Sequence, residues 1–252
     1  MPVEEDPTRG PAGRVLLDAA GAPIGRYDHG ERDGVPIADL FDREPGVTAE
    51  QAAAAVLAEL RGMKIAGDEE LGRALIAADG TTLRHGHLYS YDFRRNPPPK
   101  TWDEPPGIRL TDIDRPVADM VPSREAAYPP GHPDHGAVPE DMETELNHYI
   151  YGGQFGPLLP GSGLAVAGDD TVVGGIVLAT IPGDPPRNGP WIIDIWRDPA
   201  CPGVGRALLQ RALALAPVET LGLIVTEGND PARRRYESLG FTLVSSALVV
   251  QI

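Results

Sequence analysis

The fold is decided by Leu223-Ile-Val-Thr-Glu-Gly-Asn-Asp-Pro-Ala-Arg-Arg-Arg-Tyr-Glu-Ser-Leu-Gly-Phe241. This stretch and the residues beside it predict a strand over 221–226 and a helix over 230–239. Ala232 and Tyr236 are four residues apart, so both lie on one face of that helix. Five residues stand at the spacing Asn-x-x-Ala-x-x-x-Tyr-x-x-x-Gly-Phe, namely Asn229, Ala232, Tyr236, Gly240 and Phe241.

A strand-to-helix turn precedes this segment. Trp191-Ile-Ile-Asp-Ile-Trp196 predicts a strand, and Gly203-Val-Gly-Arg-Ala-Leu208 opens a helix predicted over 203–216. Glycines let backbone amides approach a ligand closely, and a helix N-terminus offers unpaired N–H groups and the positive end of the helix dipole. The turn therefore suits a pyrophosphate, and a tight turn without a ligand is the alternative for a bare Gly-x-Gly. No Lys follows the glycines, which excludes a Walker loop.

The residues from 107 to 252 predict an α/β sheet of mixed direction, in the order β-α-α-β-β-β-α-β-α-β. Further strands are expected at 108–113, 164–167, 172–181 and 241–252, and further helices at 117–128 and 140–151. Upstream, the prolines of 96–106 predict an extended linker.

The turn and the C-terminal motif together resemble the GCN5-related N-acetyltransferases, the GNAT superfamily. The resemblance covers residues 107–252, and it implies a GNAT-type mixed, twisted sheet with flanking helices and acetyl-CoA as co-substrate. It also implies which residues bind the cofactor. The end of a splayed strand, whose main chain pairs with the pantetheine arm, corresponds to Ile195, Trp196 and Arg197. The pyrophosphate loop and the first helical turn correspond to Gly203, Val204, Gly205, Arg206 and Ala207. Asn229 corresponds to a residue that touches the pantetheine or caps the next helix.

Two features depart from the family pattern. Ala200 stands where the family prefers Arg or Gln, and residues 199–203 are shorter than the usual loop. Since backbone amides make most of the phosphate contacts, we expect CoA binding to survive. Arg233-Arg234-Arg235 predicts a solvated helix face, with neutralisation of the CoA 3′-phosphate as the alternative.

Two residues are candidates for the chemistry. Tyr236 matches the family residue that often protonates the departing CoA thiolate, and a core aromatic residue is the alternative. Asp194 lies mid-strand between apolar residues, where a carboxylate costs free energy unless it is paired or functional. It is either a general base, acting directly or through water, or a partner in an ordinary ion pair with an arginine.

Two other groups of residues are expected to be inert or to face the substrate. Cys201 lacks an evident base, so we expect an inert loop thiol. A loop rich in Pro and Gly is expected to face the substrate, and its spacing matches no metal motif; its polar residues are His132, Asp134, His135 and Glu140. We therefore expect no metal.

The N-terminal part predicts a smaller α/β segment over 14–95, after a disordered tail at 1–13. A capping box at Thr48 opens a helix to about residue 60, and a strand at 63–66, a helix at 69–78 and a strand at 82–93 follow. This order resembles the second half of a degenerate GNAT domain, as in tandem members of the superfamily. Ile76 falls opposite Tyr236, so no CoA binding is expected here.

The net charge of the chain argues against some classes of binding partner. The chain of 252 residues has 22 basic and 37 acidic residues, a net charge of −15. Repulsion from phosphates argues against nucleic-acid and membrane partners, and the single cysteine, Cys201, favours a cytoplasmic protein.

We expect an N-acetyltransferase in which an amine of a small molecule or peptide attacks the thioester directly. Asp194 or water would take the proton, a main-chain N–H near Ile195 or Trp196 would stabilise the oxyanion, and Tyr236 would protonate the thiolate. A non-catalytic acyl-CoA-binding regulatory module is the alternative, motivated by Ala200.

Overall fold

The computed structural model describes residues 3–32, 34–135, 141–152, 155–181 and 188–252. The chain divides into two compact units. The first comprises Met1–His87 with Ser245–Ile252, and the second comprises Leu88–Val244. This division does not coincide with the linker predicted at 96–106, and the assignment of 107–252 as a separate domain stays a prediction.

The described residues form strands and short helices. The strands are β1 (Val3–Glu5), β2 (Gly13–Leu17), β3 (Pro23–Arg32), β4 (Val35–Arg43), β5 (Lys64–Asp68), β6 (Thr81–Asp92), β7 (Ile108–Thr111), β8 (Gly163–Ala167), β9 (Val172–Ile181), β10 (Gly189–Arg197), β11 (Thr220–Thr226) and β12 (Thr242–Gln251). The helices are α1 (Ala49–Glu59), α2 (Glu69–Ala77), α3 (Val121–Ala127), α4 (Met142–Ile150), α5 (Val204–Leu215) and α6 (Asp230–Leu239). Strands β6 and β12 have residues in both units.

The first unit is a sheet with two helices. Its strand order is β1-β2-β3-β4-β5-β12, and β4 and β5 are parallel while the other pairs are antiparallel. Helix α1 connects the parallel pair, as a parallel connection requires a crossover. The predicted capping box is present, because Thr48 and Gln51 bond each other's backbone N–H. Helix α2 packs closely on β12, where Gly72 faces Leu248.

Two parts of the first unit differ from the sequence predictions. Residues 3–17, which include most of the predicted tail, contain β1 and β2 and a short 3-10 turn. Buried Asp6 ties this segment down, since its carboxylate accepts from Thr8 and from Arg26. Strand β4 was not predicted, because Pro36 and two aspartates interrupt its apolar pattern.

The second unit has helices on both faces of a mixed sheet. The strand order is β6-β11-β10-β9-β8-β7. Strand β10 is parallel to β11, and the neighbouring pairs β10–β9, β9–β8 and β8–β7 are antiparallel. Successive residues of β9 enter different cores, because strand side chains alternate between faces. Ile176 and Leu178 pack with α5 and α6, whereas Val177 packs with α3 and α4. The expected mixed α/β fold is confirmed.

Two predicted helices of this unit are shorter in the structure. The predicted helix at 117–128 is a 3-10 turn, Val117–Asp119, followed by α3, because Pro122 lacks the N–H that a continuous helix would use. Asp141 caps α4, so the helix begins after residue 140, and Glu140 itself lies outside the described residues.

Both units share one order of elements. Strand, helix, parallel strand and helix follow each other as β4-α1-β5-α2 and as β10-α5-β11-α6. Within the ranges described, no helix has the length and apolar character needed to cross a membrane.

Candidate active site

Strand β10 has a free edge beyond its middle. It pairs with β9 from Gly189 to Arg197, with an irregularity between Ile192 and Asp194. Its parallel pairing with β11 is confined to Trp191 opposite Gly222. From Asp194 onward the main chain of β10 therefore has a strand on one side only among the described residues. Main-chain groups on such an edge remain available to a ligand.

Helix α5 begins beside this edge without a side-chain cap. Gly203 has a φ of 89°, a left-handed conformation that glycine adopts without strain. The N–H groups of Arg206 and Ala207 donate to its carbonyl oxygen, at 3.0 and 3.1 Å. The amides of Val204 and Gly205 precede these bonds, so the first turn presents unpaired donors. Helix α1 differs here, because side chains of its capping box bond the N–H groups of Thr48 and Gln51.

Three arginines surround the start of α5. Arg235 on α6 lies against Gly205, because a Cβ added to Gly205 would be 3.4 Å from Nη1 of Arg235. Burial lowers the pKa of Arg235, and the positive charges of Arg197 and Arg206 lower it further. No carboxylate in the described part of the chain pairs with any of these three guanidinium groups. Mutually repelling cations beside unpaired amides are chemically suited to a polyanion.

Tyr236 lies in the core next to this site. Its ring packs on Phe241 with the centroids 5.8 Å apart, and its hydroxyl bonds to no other described residue. Burial raises the pKa of Tyr236 well above its ordinary value of 10. The hydroxyl thus stays protonated at neutral pH, as a proton donor must.

Asn229 acts as the N-cap of α6. Its side-chain oxygen accepts from the N–H of Ala232, and its Nδ2 donates to Asp134 at 3.3 Å. Of the two roles that the family resemblance implies, the structure places Asn229 in the capping role.

Asp194 belongs to a buried ion cluster, defined here as Arg124, Asp194 and Glu145. The Nε of Arg124 donates to Asp194 Oδ2 at 2.7 Å, and its Nη2 donates to Glu145. Tyr128 donates to Asp194 Oδ1 at 3.1 Å, and Tyr149 donates to Glu145 at 2.6 Å. The ion-pair interpretation of Asp194 thus describes its contacts, and both of its oxygens have partners.

The pKa values of this cluster reflect burial and pairing. Burial raises the pKa of Asp194, and the charge and hydrogen bond of Arg124 offset part of that rise. Burial alone would lower the pKa of Arg124, but the charges of Asp194 and Glu145 outweigh it, so its pKa is raised. Burial also raises the pKa of Tyr128.

The remaining predicted residues lie around this centre. The side chain of Trp196 is buried and donates to Ser123 at 2.9 Å, so only its main chain faces the strand edge. Cys201 packs partly against the core. In the loop after α3, Asp134 accepts from Thr226 and Asn229, and His135 contacts the carbonyl oxygen of Tyr128.

The sequence did not identify three of these residues as parts of the site, and it did not single out a fourth, Arg235, within its arginine run. Arg124, Tyr128 and Glu145 are distant from Asp194 in the chain, and no spacing rule connects them. Arg235 stood within a run of three arginines, and its neighbours Arg233 and Arg234 are exposed. The sequence signal that could have indicated the cluster was a charged residue, Arg124, within the helix predicted at 117–128.

Known proteins with a similar fold include acetyltransferases of one family. Residues 125–241 match the family model described as Acetyltransferase (GNAT) family. A solved GCN5-related N-acetyltransferase from Sphaerobacter thermophilus is similar over 96% of this chain and 80% of its own, with 15% identity and a TM-score of 0.61. A tandem GNAT protein from the clavulanic acid biosynthesis pathway is similar over 95% and 82%, with 17% identity and a TM-score of 0.55. No curated protein sequence matches. Residues 125–241 thus match the GNAT acetyltransferase family model, and the chain shares the fold of these two solved structures.

Proposed function

We propose that this protein is an acetyl-CoA-dependent N-acetyltransferase that acts on an amine of a small molecule or peptide. The observation that carries the proposal is the uncapped start of α5, surrounded by Arg197, Arg206 and Arg235. These cations have no carboxylate partner among the described residues, in a chain of net charge −15. Three guanidinium groups kept together without a carboxylate partner in an acidic protein support a site for an anion.

The described residues fit acetyl-CoA. When bound, acetyl-CoA supplies an acetyl group activated as a thioester, on a carrier with a pyrophosphate and a 3′-phosphate. The amides of Val204 and Gly205 would hold the pyrophosphate, with Arg197 and Arg206 neutralising charge. Arg235 is placed to contact a phosphate as well, since it lies against Gly205. The free edge of β10 from Ile195 to Arg197 would bind the pantetheine arm through its main chain.

Tyr236 supplies the proton to the leaving group in this proposal. Its hydroxyl is protonated and has no partner in the described chain, so nothing competes with a thiolate for it. A thiolate is basic enough to take a proton from a positioned donor, since ordinary thiols titrate near pH 8.5. A main-chain N–H of Ile195 or Trp196 would stabilise the oxyanion.

The alternative of a non-catalytic acyl-CoA-binding module is not favoured, and turnover separates it from the enzyme. Cys201 is the single cysteine, so no intramolecular disulfide forms, and we propose the cytoplasm as the compartment. The acceptor we propose is a cationic amine, because anionic acceptors would be repelled by the chain as a whole.

Titration with CoA tests the site directly. Replacing Arg235→Gln removes one charge-assisted contact and is expected to weaken CoA binding about 10-fold or more in calorimetry. The matched control is Arg234→Gln, because Arg234 is exposed and lies 4.0 Å from Asp230. Equal affinity of the wild type and the Arg235→Gln variant would contradict the assignment of the phosphate site.

A further inference from the structure

We infer that Tyr128 is the residue through which the acceptor amine loses its proton, and that Asp194 receives the proton from Tyr128. The inference rests on the N-acetyltransferase function proposed above. It assigns a catalytic role to Tyr128, a residue to which the family resemblance gave none.

Tyr128 reaches the edge of β10 from the end of α3. The helix ends here because Pro129 and Pro130 follow, and the residue before a proline avoids the helical conformation. The Tyr128 hydroxyl donates its proton to Asp194 Oδ1 at 3.1 Å and lies 3.5 Å from the carbonyl oxygen of Ile195. Its lone pairs remain to accept a hydrogen bond from an N–H donor.

The position of Ile195 gives this hydroxyl its chemical meaning. Ile195 lies beyond the place where β10 and β11 are paired, on the free edge that we assign to the pantetheine arm. A donor that binds the Tyr128 oxygen is therefore held beside the main chain that would bind the thioester. Asp194 itself is less suited to touch an amine, because Arg124 and Tyr128 occupy both of its oxygens.

The charge of the buried ion cluster favours uptake of one proton. Two carboxylates, Asp194 and Glu145, share one guanidinium, Arg124, which gives the cluster a net charge of −1. A proton on Asp194 leaves the neutral pair of Arg124 with Glu145. Excess buried charge is costly, so this change relieves the cluster. Burial raises the pKa of Asp194 in the same direction.

The proton transfer balances without any further reactant. One N–H bond of the acceptor ammonium breaks and its proton passes to the Tyr128 oxygen, while the Tyr128 O–H proton passes to Asp194 Oδ1. Tyr128 ends neutral, Asp194 ends as a carboxylic acid, and the acceptor ends as a neutral amine with a lone pair for attack. No electrons are transferred.

Other titratable groups also face Tyr128 and Asp194. Helix α3 contributes Arg124, and α4 contributes Glu145 and Tyr149. The loop after α3 contributes His132 and Asp134, and α6 contributes Tyr236. The pH dependence therefore belongs to the cluster as a whole.

A pH profile of amine acetylation by the full chain tests the inference. The Tyr128→Phe variant is expected to keep its CoA affinity and to remain folded. Its kcat/KM should fall about 10- to 100-fold near neutral pH, and its acidic limb should move at least about one pH unit upward, toward the titration of the free amine. Tyr89→Phe is the matched control, because it removes the same kind of tyrosine–carboxylate bond, to Glu237, outside the cluster and should leave the limb in place.

A second variant makes the relay itself measurable. Asp194→Asn should move the limb as Tyr128→Phe does, and the double variant should lose no more than either single variant, because the two residues act as one unit. A wild-type profile in Tyr128→Phe, or losses that add in the double variant, would overturn the inference alone. Wild-type protein that binds CoA but acetylates no amine would overturn the proposed function, and the inference with it.

Discussion

Replacing Arg124 tests whether the buried ion cluster is organised as described. Arg124 is 3% exposed and bonds both Asp194 and Glu145. The Arg124→Met variant keeps much of the side-chain volume but leaves the buried Asp194 and the partly buried Glu145 without their cation. Breaking a buried ion pair costs about 3–5 kcal/mol of unfolding free energy. At about 2–4 °C per kcal/mol for a chain of this size, the melting temperature should fall by roughly 6–20 °C.

The loss should depend on pH in a defined direction. Burial already raises the pKa of Asp194, and removal of Arg124 raises it further. A group whose pKa is higher in the folded than in the unfolded state favours folding below its unfolded pKa, and that contribution disappears as the pH rises through the folded pKa. The penalty of Arg124→Met should therefore be largest in alkaline buffer and shrink as the carboxylates take up protons. Thermal unfolding from roughly pH 5 to pH 9 measures it.

Two further variants complete this experiment. Arg109→Met removes a surface pair with Asp170, so it should cost less than about 1 kcal/mol at any pH. Adding Asp194→Asn and Glu145→Gln to Arg124→Met removes the uncompensated charges and should restore most of the stability. An Arg124→Met variant as stable as the wild type in alkaline buffer, or equally destabilised at every pH, would refute the reasoning.

Two other predictions concern packing and the proton donor. Gly72→Ala should lower the unfolding free energy by about 1–3 kcal/mol, because the new Cβ would overlap with the side chain of Leu248. Gly30→Ala, whose Cβ would lie 3.5 Å from Ile37, is the control, and equal unfolding curves for the two variants would contradict the packing. Tyr236→Phe should reduce turnover about 10²- to 10⁴-fold without weakening CoA binding, because the hydroxyl has no structural partner among the described residues; full activity in steady-state assays across pH would remove Tyr236 as the acid.

Local signals in the sequence predicted several elements of the fold. Strand β9 and helix α6 have the bounds expected from their sequences, and the Thr48 capping box forms as predicted. Each depends on residues close together in the chain, where apolar patterning and capping chemistry act directly. Strand β4 was missed because its pattern is broken by polar residues, and its order comes from pairing with β3 and β5.

Long-range contacts of the site were beyond the sequence. Asp194 predicted an arginine partner, but nothing in the chain indicated that this partner is Arg124 on α3. Tyr128 was expected only as the end of a helix, and the role inferred for it depends on the position of that helix end relative to β10. Arg235 differs from Arg233 and Arg234 only in the direction it faces from α6, which a run of identical residues conceals.

The central claim is that this chain transfers an acetyl group from acetyl-CoA to an amine. The most direct measurement incubates the full chain with acetyl-CoA and a broad panel of amines and peptides, and records both release of the free CoA thiol and the acetylated product by mass spectrometry. We predict thiol release that depends on a cationic amine, with one acetylated amine for each thiol, and strong loss of this release in Tyr236→Phe. Tight CoA binding without amine-dependent thiol release across the panel would contradict it.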